Sequence, residues 1–366
     1  MKIALISFSR NGAALSKKIA DFLGPVGCQS IRRELPVTGP VGEDRHDVTV
    51  AVKSAYVEGS IEESVKDWTA EQFEKQDAII FVGAVAIAVR SIAPMAASKC
   101  KDPAVLVIDE KGNYCIPILS GHIGGANALA KMISEAFSME AVITTATDIQ
   151  GKWAVDVFAV KNHLQIEDLK KAKEISAKIL AGEQIRYYVE NGIQVKGKVP
   201  EEILLVEDRQ AEAEAPDIYT GIYQCPQWNK TLFLIPKSVV MGIGCKKGTP
   251  LENIEQAVAQ ALQAAGICQK AIKAVASIDL KAEEQGLLDY CEKYHLEFYT
   301  YTSEELEAVE GTFTGSAFVK KITGVDNICE RSALCALEDG KLLSKKYTQN
   351  GVTVAFAMGK WEVAFE

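Results

Sequence analysis

The 366-residue sequence lacks any run of about 18 apolar residues, the length that a membrane-spanning helix needs. It also lacks an excess of basic residues, because 40 lysines and arginines stand against 49 aspartates and glutamates, which leaves a net charge of −9. Sequence-independent binding of nucleic acid needs a cationic surface, so we expect neither nucleic acid nor a membrane as a partner. The nine cysteines include no CxxC pair. This scattered set predicts reduced thiols in the cytoplasm and no structural zinc.

The sequence contains, instead, an alternation of short apolar runs and amphipathic helical runs. Five apolar segments predict buried strands, at residues 3–8, 78–82, 104–108, 115–119 and 141–145. Buried strands that alternate with helices are typical of a mainly parallel sheet covered on both faces. The sequence therefore predicts an α/β fold with a doubly wound, mainly parallel sheet in an N-terminal domain, residues 1–151.

Two shifts in composition divide the rest of the chain. From about residue 152 the sequence becomes more polar, which predicts a small α+β middle domain, residues 152–236, with a solvated acidic loop at 207–216. After residue 236 the alternation of strands and helices resumes and predicts a C-terminal α/β domain, residues 237–366. Residues 249–252 match a capping box at the start of its first helix.

The most informative segment joins a predicted strand to a helix through three glycines. Gly121, Gly124 and Gly125 permit a tight turn and a close approach of a ligand to the main chain. The helix predicted at residues 126–137 begins with N–H groups that suit a carboxylate or an oxyanion. His122 lies in this turn, which we expect at the C-terminal edge of the sheet, where ligands bind in open α/β folds. Such a histidine is a candidate general acid or base, and a plain strand–helix connection whose histidine caps a carbonyl is the alternative.

Polar residues near other strand ends are further candidates. Arg90 follows a long apolar run and is either an anchor for a substrate carboxylate or part of an internal ion pair. Lys99 and Asp102 fit an exposed polar loop. Asp109 ends a strand and precedes a predicted hairpin turn.

The segment 143–148 carries three threonines and an aspartate after a predicted strand. These residues are Thr144, Thr145, Thr147 and Asp148. In one interpretation they hydrogen-bond an anionic ligand or orient His122. In the other, the threonines reflect β-propensity and the aspartate is a helix cap or turn residue.

The C-terminal domain has a second glycine turn, residues 242–248, in which Lys246 and Lys247 offer positive charge to an anion. Its GxGxxxG spacing differs from the dinucleotide-binding GxGxxG, and the sequence has no Walker A, HExxH or GxSxG motif. Glu330 follows another turn and is interpreted as a charge on a helix surface. The remaining histidines are interpreted as surface residues: His46, His163 and His295.

Taken together, these segments resemble one family, the cobalt-precorrin-5A hydrolases of anaerobic cobalamin biosynthesis. The resemblance is carried, in order along the chain, by Ile87-Ala-Val-Arg90, Ile92-Ala-Pro94, Lys99, Asp102-Pro-Ala-Val105, Ile108-Asp109, Leu119-Ser-Gly-His-Ile-Gly-Gly-Ala-Asn127, Thr144-Thr-Ala-Thr-Asp148, Gly242-Ile-Gly-Cys245, Ser277, Lys281, Glu284, Gly324-Val325 and Glu330. One departure is Ala86, where we expect glycine. The middle region carries little of the family signature.

The resemblance implies a hydrolase that opens the δ-lactone of a cobalt-bearing tetrapyrrole with water and releases acetaldehyde, giving cobalt-precorrin-5B. It implies no cofactor and no metal site of the protein's own, because the cobalt arrives inside the substrate. Neighbouring enzymes of the pathway are candidate partners, and the oligomeric state is not predicted.

The resemblance also implies roles for the candidate residues. His122 is the expected general base, oriented by Asp109 or Asp148, with the amides of residues 124–126 as oxyanion donors. Axial contact of His122 with the cobalt is the alternative. The expected substrate-binding residues are Arg90, Lys99, Asp102, Gly121, Gly124, Gly125, Asn127, Thr144, Thr145, Thr147, Lys246, Lys247 and Glu330.

Two other functions stay open at the level of sequence. A non-catalytic carrier of corrinoid intermediates would use the same pocket to hold an intermediate and pass it on. A nucleotide-binding α/β protein is suggested by the two glycine turns alone, and the missing nucleotide fingerprints argue against it.

Overall fold

A computed structural model describes residues 1–24, 46–97, 101–122 and 124–365, which form two compact units that meet at Lys152 and Trp153 in the chain. None of the helices within these ranges is long and apolar enough to cross a membrane. The elements of the first unit are β1 (Lys2–Ser7), α1 (Arg10–Leu23), β2 (Asp47–Val52), α2 (Val65–Lys75), β3 (Ala78–Val82), α3 (Val85–Ile92), β4 (Ala104–Ile108), β5 (Tyr114–Leu119), α4 (Ala126–Phe137), β6 (Glu140–Ala141) and α5 (Ala146–Ile149).

The first unit is built on one six-stranded sheet in the order β2-β1-β3-β4-β5-β6. Every residue of β3 and β4 is buried, as expected for strands that are covered on both faces. Helices α1 and α4 pack on one face through residues such as Ile19 and Leu129. Helices α2 and α3 pack on the other face through Trp68 and Ala88. The predicted doubly wound, mainly parallel sheet is confirmed.

One strand of this sheet runs in the opposite direction to its neighbour. Strand β5 is antiparallel to β4, so that Leu119 pairs with Val105, and Cys115 pairs with Ile108. The turn after β5 therefore lies at the amino ends of the parallel strands. The expectation that His122 lies at their carboxyl ends is wrong, because it assumed that β5 is parallel.

The second unit contains two larger sheets and one strand pair. Its elements are α6 (Val155–Lys161), β7 (Leu164–Ile166), α7 (Leu169–Leu180), β8 (Ile185–Val189), β9 (Gln194–Lys196), β10 (Ile203–Leu205), α8 (Asp208–Ala213), β11 (Ile218–Thr220), β12 (Leu232–Pro236), β13 (Val239–Cys245), α9 (Leu251–Ala265), β14 (Ile272–Ile278), α10 (Gln285–Tyr294), β15 (Glu297–Tyr301), α11 (Ser303–Ala308), α12 (Ala317–Thr323), α13 (Cys329–Cys335), β16 (Lys341–Leu342), β17 (Tyr347–Gln349), β18 (Val352–Met358) and β19 (Glu362–Ala364), with short 3₁₀ helices at Gln269–Ala271 and Asp279–Lys281.

The two sheets of the second unit follow the two halves of its sequence, with one exception. The first sheet has the order β10-β8-β11-β12-β7, and the second has the order β15-β14-β13-β18-β16, with β17 paired to β18. The exception is β19, which pairs with β9. The next residue, Phe365, packs against Trp153, Phe158 and Tyr187 in the core of the first of these sheets. Residues 362–365 thus share a core with the middle segment, and the predicted domain boundaries stay a prediction.

Several local expectations are wrong. A strand was expected at residues 141–145, but β6 ends at Ala141 and residues 142–145 are irregular. The acidic stretch 207–216 was expected to be a loop, but it contains the helix α8. Glu207 and Gln210 form a capping box at the start of this helix. At the start of α9, Pro250 is itself the N-cap residue, and the Thr249 hydroxyl instead donates to the carbonyl of Lys246. His46 is buried, although its polar sequence context predicts a surface position.

Two glycines of the predicted second glycine turn lie inside β13 instead. A Cβ atom at Gly242 would overlap the backbone carbonyl of Cys329, the first residue of α13. A Cβ atom at Gly244 would lie 2.7 Å from Oγ1 of Thr353 on β18. These glycines therefore permit close packing of a helix and a strand on β13. Only residues 246–250 form the connection from β13 to α9.

We expect Gly242→Ala to lower the free energy of unfolding by about 1–3 kcal/mol, because the added methyl group overlaps backbone atoms that cannot move alone. Urea unfolding measures the change. Gly359→Ala is the matched control, since its Cβ would lie 3.5 Å from Cδ2 of Leu337, an ordinary contact. Equal stability of both variants would contradict the close packing of α13 on β13.

Candidate active site

The candidate site is built on the connection from β5 to α4. Ser120 and Gly125 have φ angles of 54° and 82°, in the left-handed region. A Cβ atom at Gly124 would overlap the side chain of Ser120. The chain thus reverses sharply between the strand and the helix, and His122 is held inside this reversal.

The backbone N–H groups at the start of α4 are occupied within the turn. The amides of Gly125, Ala126 and Asn127 donate to backbone carbonyls of the turn at 2.9, 3.2 and 2.9 Å. The expectation that the amides of residues 124–126 act as oxyanion donors is therefore wrong for Gly125 and Ala126. The sharp reversal brings the carbonyls of the turn onto the helix end, where they satisfy the donors that a ligand would need.

The imidazole of His122 contacts a carboxylate from the next segment of the chain. Its Nε2 lies 2.9 Å from Oδ2 of Asp148, and Oγ1 of Thr147 lies 3.3 Å from the same nitrogen. The His122 and Asp148 side chains are only 15% and 19% exposed. Because β6 runs parallel to β5, the segment after β6 reaches the same edge of the sheet as the turn.

Helix α4 supplies two more donors to this carboxylate. Nδ2 of Asn127 lies 2.9 Å from Oδ2 of Asp148 and 3.0 Å from Oγ1 of Thr145. Nζ of Lys131 lies 3.0 Å from Oδ1 of Asp148. Lys131 was not predicted from the sequence, although its position four residues after Asn127 places both side chains on one face of α4.

A glycine in the turn makes room for this arrangement. A Cβ atom at Gly121 would lie 2.8 Å from Oδ1 of Asn127. The geometry of the turn thus explains why positions 121, 124 and 125 are glycines: Gly121, Gly124 and Gly125. Their expected role in substrate binding stays a prediction.

The protonation state of the pair follows from its contacts. Partial burial raises the pKa of Asp148, but hydrogen bonds from Lys131, His122 and Asn127 outweigh this effect and hold the pKa below its ordinary value. Asp148 is therefore ionised at neutral pH and can only accept hydrogen bonds. The facing Nε2 of His122 therefore carries the proton of this hydrogen bond, and in a neutral imidazole the basic lone pair is then on Nδ1.

The other residues predicted for the N-terminal site are not gathered around His122. The backbone carbonyl of Asp102 accepts a hydrogen bond from Oγ of Ser120 at 2.9 Å, so its loop adjoins the turn. Arg90 is exposed in the last turn of α3, and Thr144 is exposed just before α5. Lys99 lies outside the residues that the structure describes.

Asp109 lies at the opposite edge of the sheet, after the carboxyl end of β4. Its Oδ1 accepts hydrogen bonds from the backbone of Asn113 and Tyr114, both at 2.7 Å, and closes the β4–β5 hairpin. The two carboxylates expected to orient His122 are thus separated by the length of a strand. Of these two carboxylates, Asp148 is the one that contacts the imidazole.

In the second unit, Lys246 and Lys247 are exposed in the turn after β13. A buried ion pair holds this turn. Glu284 lies 2.7 Å from Nζ of Lys281 and accepts a hydrogen bond from the amide of Gly248 at 2.6 Å. Glu284 therefore holds the backbone of the turn that carries the two exposed lysines.

Glu330 is not on the surface, and its interpretation as a helix-surface charge is wrong. It is 1% exposed and accepts hydrogen bonds from the amides of Thr314 and Lys346 and from Nδ2 of Asn327, at 2.8, 2.6 and 2.8 Å. Its described contacts join three segments of the protein to one another. A role in substrate binding stays a prediction.

Potential metal ligands are spread apart in the part of the chain that the structure describes, and two cysteines there are neutral thiols. No three histidine, cysteine, aspartate or glutamate side chains converge there to hold a metal ion. Burial raises the pKa of Cys245 and raises that of Cys329 to about 12, so both are neutral thiols.

The fold and this cluster define a multidomain α/β protein with a histidine–carboxylate pair suited to acid–base catalysis. Three family models match consecutive parts of the chain: cobalamin synthesis G N-terminal at residues 67–148, cobalamin biosynthesis central region at 153–236, and cobalamin synthesis G C-terminus at 239–357. The chain belongs to the cobalamin synthesis G family, which confirms the resemblance found in its sequence.

Two individual relatives agree with this assignment. The chain is 31% identical to the cobalt-precorrin-5A hydrolase of Salmonella typhimurium, over 97% of both chains. It is 31% identical to the cobalt-precorrin-5A hydrolase of Priestia megaterium, over 81% of this chain and 82% of the relative. A solved structure of a cobalamin biosynthesis protein G homolog from Sulfolobus solfataricus is 23% identical, covers 98% of this chain and 97% of its own, and gives a TM-score of 0.39.

We expect Asp148→Asn to lower the free energy of unfolding by about 1 kcal/mol at pH 7, because it removes a partly buried anion with three donors. An acid whose pKa is lower in the folded than in the unfolded state stabilises the fold above its unfolded pKa and stops doing so as the pH falls through its folded pKa. The difference from wild type should therefore shrink below about pH 4. Urea unfolding at pH 7 and pH 3 tests this, and a difference that does not change with pH would contradict it.

Proposed function

We propose that this chain hydrolyses cobalt-precorrin-5A, opening the δ-lactone with water and releasing acetaldehyde to give cobalt-precorrin-5B. The names of the Salmonella and Priestia relatives support this substrate, and the residues shared with the family support the same reaction. The structural observation that carries the proposal is the His122–Asp148 pair, at 2.9 Å, in which His122 belongs to the segment 119–127 that carries the resemblance to the family.

In the proposed reaction, a water molecule attacks the lactone carbonyl while Nδ1 of His122 takes its proton. The carbonyl carbon gains a bond to the water oxygen and loses its bond to the ring oxygen of the lactone. The imidazolium returns the proton to that oxygen, which leaves a hydroxyl group on the neighbouring carbon. Asp148 stabilises the positive charge on the imidazole between these two steps.

Acetaldehyde then leaves by cleavage of a carbon–carbon bond. The new hydroxyl group loses its proton to His122, its oxygen forms a carbonyl, and the bond to the macrocycle breaks. The electron pair of that bond remains with the macrocycle. The substrate brings its own cobalt, so we propose that the enzyme has no cofactor.

We expect His122→Asn to lower the rate of acetaldehyde release by about 10²–10⁴-fold, because the general base is lost while the turn is kept. The assay is an anaerobic incubation with cobalt-precorrin-5A, with trapping of acetaldehyde and mass measurement of the tetrapyrrole. His295→Asn is the matched control. It replaces an exposed histidine with a φ angle of 51°, which asparagine also tolerates.

The same assay separates the proposed hydrolase from the carrier. A wild-type protein that binds the tetrapyrrole without releasing acetaldehyde would favour the carrier. Release at the wild-type rate by His122→Asn would keep the hydrolase but exclude His122 as its base.

The exposed lysines after β13 make a separate prediction about binding. The substrate carries several carboxylates, so Lys246→Gln with Lys247→Gln should raise KM several-fold with little change in kcat, and added salt should reduce the difference. Lys270→Gln is the control, since this lysine is exposed at the other end of the same sheet, before β14 begins. An unchanged KM would exclude this turn from the binding site.

A further inference from the structure

We propose that Lys131 is a positioning residue for this reaction, which holds Asp148 in place as an anion and thereby keeps the basic lone pair of His122 on Nδ1. The inference rests on the proposed function for its catalytic consequence. Its effect on the His122–Asp148 pair does not depend on which substrate is bound.

Geometry is the first support for this role. His122 and Asn127 both donate to Oδ2 of Asp148, at 2.9 Å each, whereas Lys131 donates to Oδ1 at 3.0 Å. Lys131 is thus the donor that holds the second carboxylate oxygen and opposes rotation of the carboxylate. Because Asn127 and Lys131 lie one turn apart on α4, the helix presents both donors as one rigid unit.

Charge is the second support. The charged or titratable groups in the described contacts of Asp148 are His122 from the turn and Lys131 from α4. Burial disfavours the anion, and the neutral amide of Asn127 cannot replace the positive charge of Lys131. Without Lys131, the pair loses a cation that opposes further protonation, so we expect it to take up a proton at a higher pH. That proton occupies Nδ1 of the imidazole, the more basic group of the pair, and removes the base.

The exposure of Lys131 makes the inference testable without loss of the fold. Its side chain is 55% exposed, and ion pairs of this kind contribute little to the stability of the fold. Lys178 offers a close control. Its Nζ lies 2.6 Å from Oδ1 of Asp217, with side-chain exposures of 43% and 21% for this pair against 55% and 19% for Lys131 and Asp148.

The experiment compares pH profiles of kcat/KM for acetaldehyde release in wild type, Lys131→Met, Lys131→Arg and Lys178→Met. We expect the acidic limb of Lys131→Met to move to higher pH, with a loss of about 10-fold on that limb and a smaller loss at neutral pH. Lys131→Arg should restore most of the rate, and Lys178→Met should follow the wild-type profile. Salt should narrow the difference between the limbs of wild type and Lys131→Met, because it screens the Lys131–Asp148 ion pair, which the variant lacks.

A second readout needs no substrate. Nitrogen-15 NMR of the imidazole groups, with His122 assigned by its loss in His122→Asn, reports which ring nitrogen carries the proton. We expect protonated Nε2 in the wild type at neutral pH, and protonation of Nδ1 at a higher pH in Lys131→Met than in the wild type. If both the spectrum and the pH profile of Lys131→Met match wild type, the role of Lys131 is excluded. If wild type releases no acetaldehyde, the proposed function fails, while the spectrum still decides the effect of Lys131 on the pair.

Discussion

Strand β5 pairs with β4 in the antiparallel direction, and this one reversal determines where the site can form. The turn that carries His122 emerges at the amino ends of the parallel strands. Strand β6 follows the direction of β5, so it delivers Asp148 to the same edge. A parallel β5 would place the turn at the edge that holds Asp109 instead. The acid–base pair is thus a consequence of strand direction, which the β4–β5 hairpin sets.

Buried or half-buried carboxylates organise the loops in both units. Asp148 joins the turn, α4 and α5, whereas Glu284 holds the turn after β13, and Glu330 joins three loop segments. Each of these carboxylates accepts several hydrogen bonds, which offset the cost of taking a charge out of water. Some of the negatively charged side chains are therefore buried, while Lys246 and Lys247 are exposed on the surface. This distribution explains how an acidic protein can offer cations to a substrate with many carboxylates.

Local sequence patterns correctly predicted the buried strands and an amphipathic helix. The strands at 78–82 and 104–108 and the helix at 126–137 match the structure, since continuous burial and helical periodicity leave a clear pattern. The pairing of His122 with Asp148 follows from segments that were both recognised. Asp109 was misplaced although the hairpin turn predicted after it already implies an antiparallel β5. Lys131 was missed because the contacts of an exposed helical lysine depend on tertiary structure. Glu330 was misjudged for the same reason, since burial of a charge leaves no local signal.

The pairing of β19 with β9 has a consequence for how the chain is made. Phe365 and the strand before it complete a core that begins with Trp153, about 200 residues earlier in the chain. During synthesis on the ribosome, the middle sheet can form early, but its aromatic core stays incomplete until residues 362–365 are available. Most of the intervening sheet, from β13 to β18, is made between the two parts of this core. Closure of the core thus requires residues that are far from the rest of it in the sequence but adjacent to it in the fold.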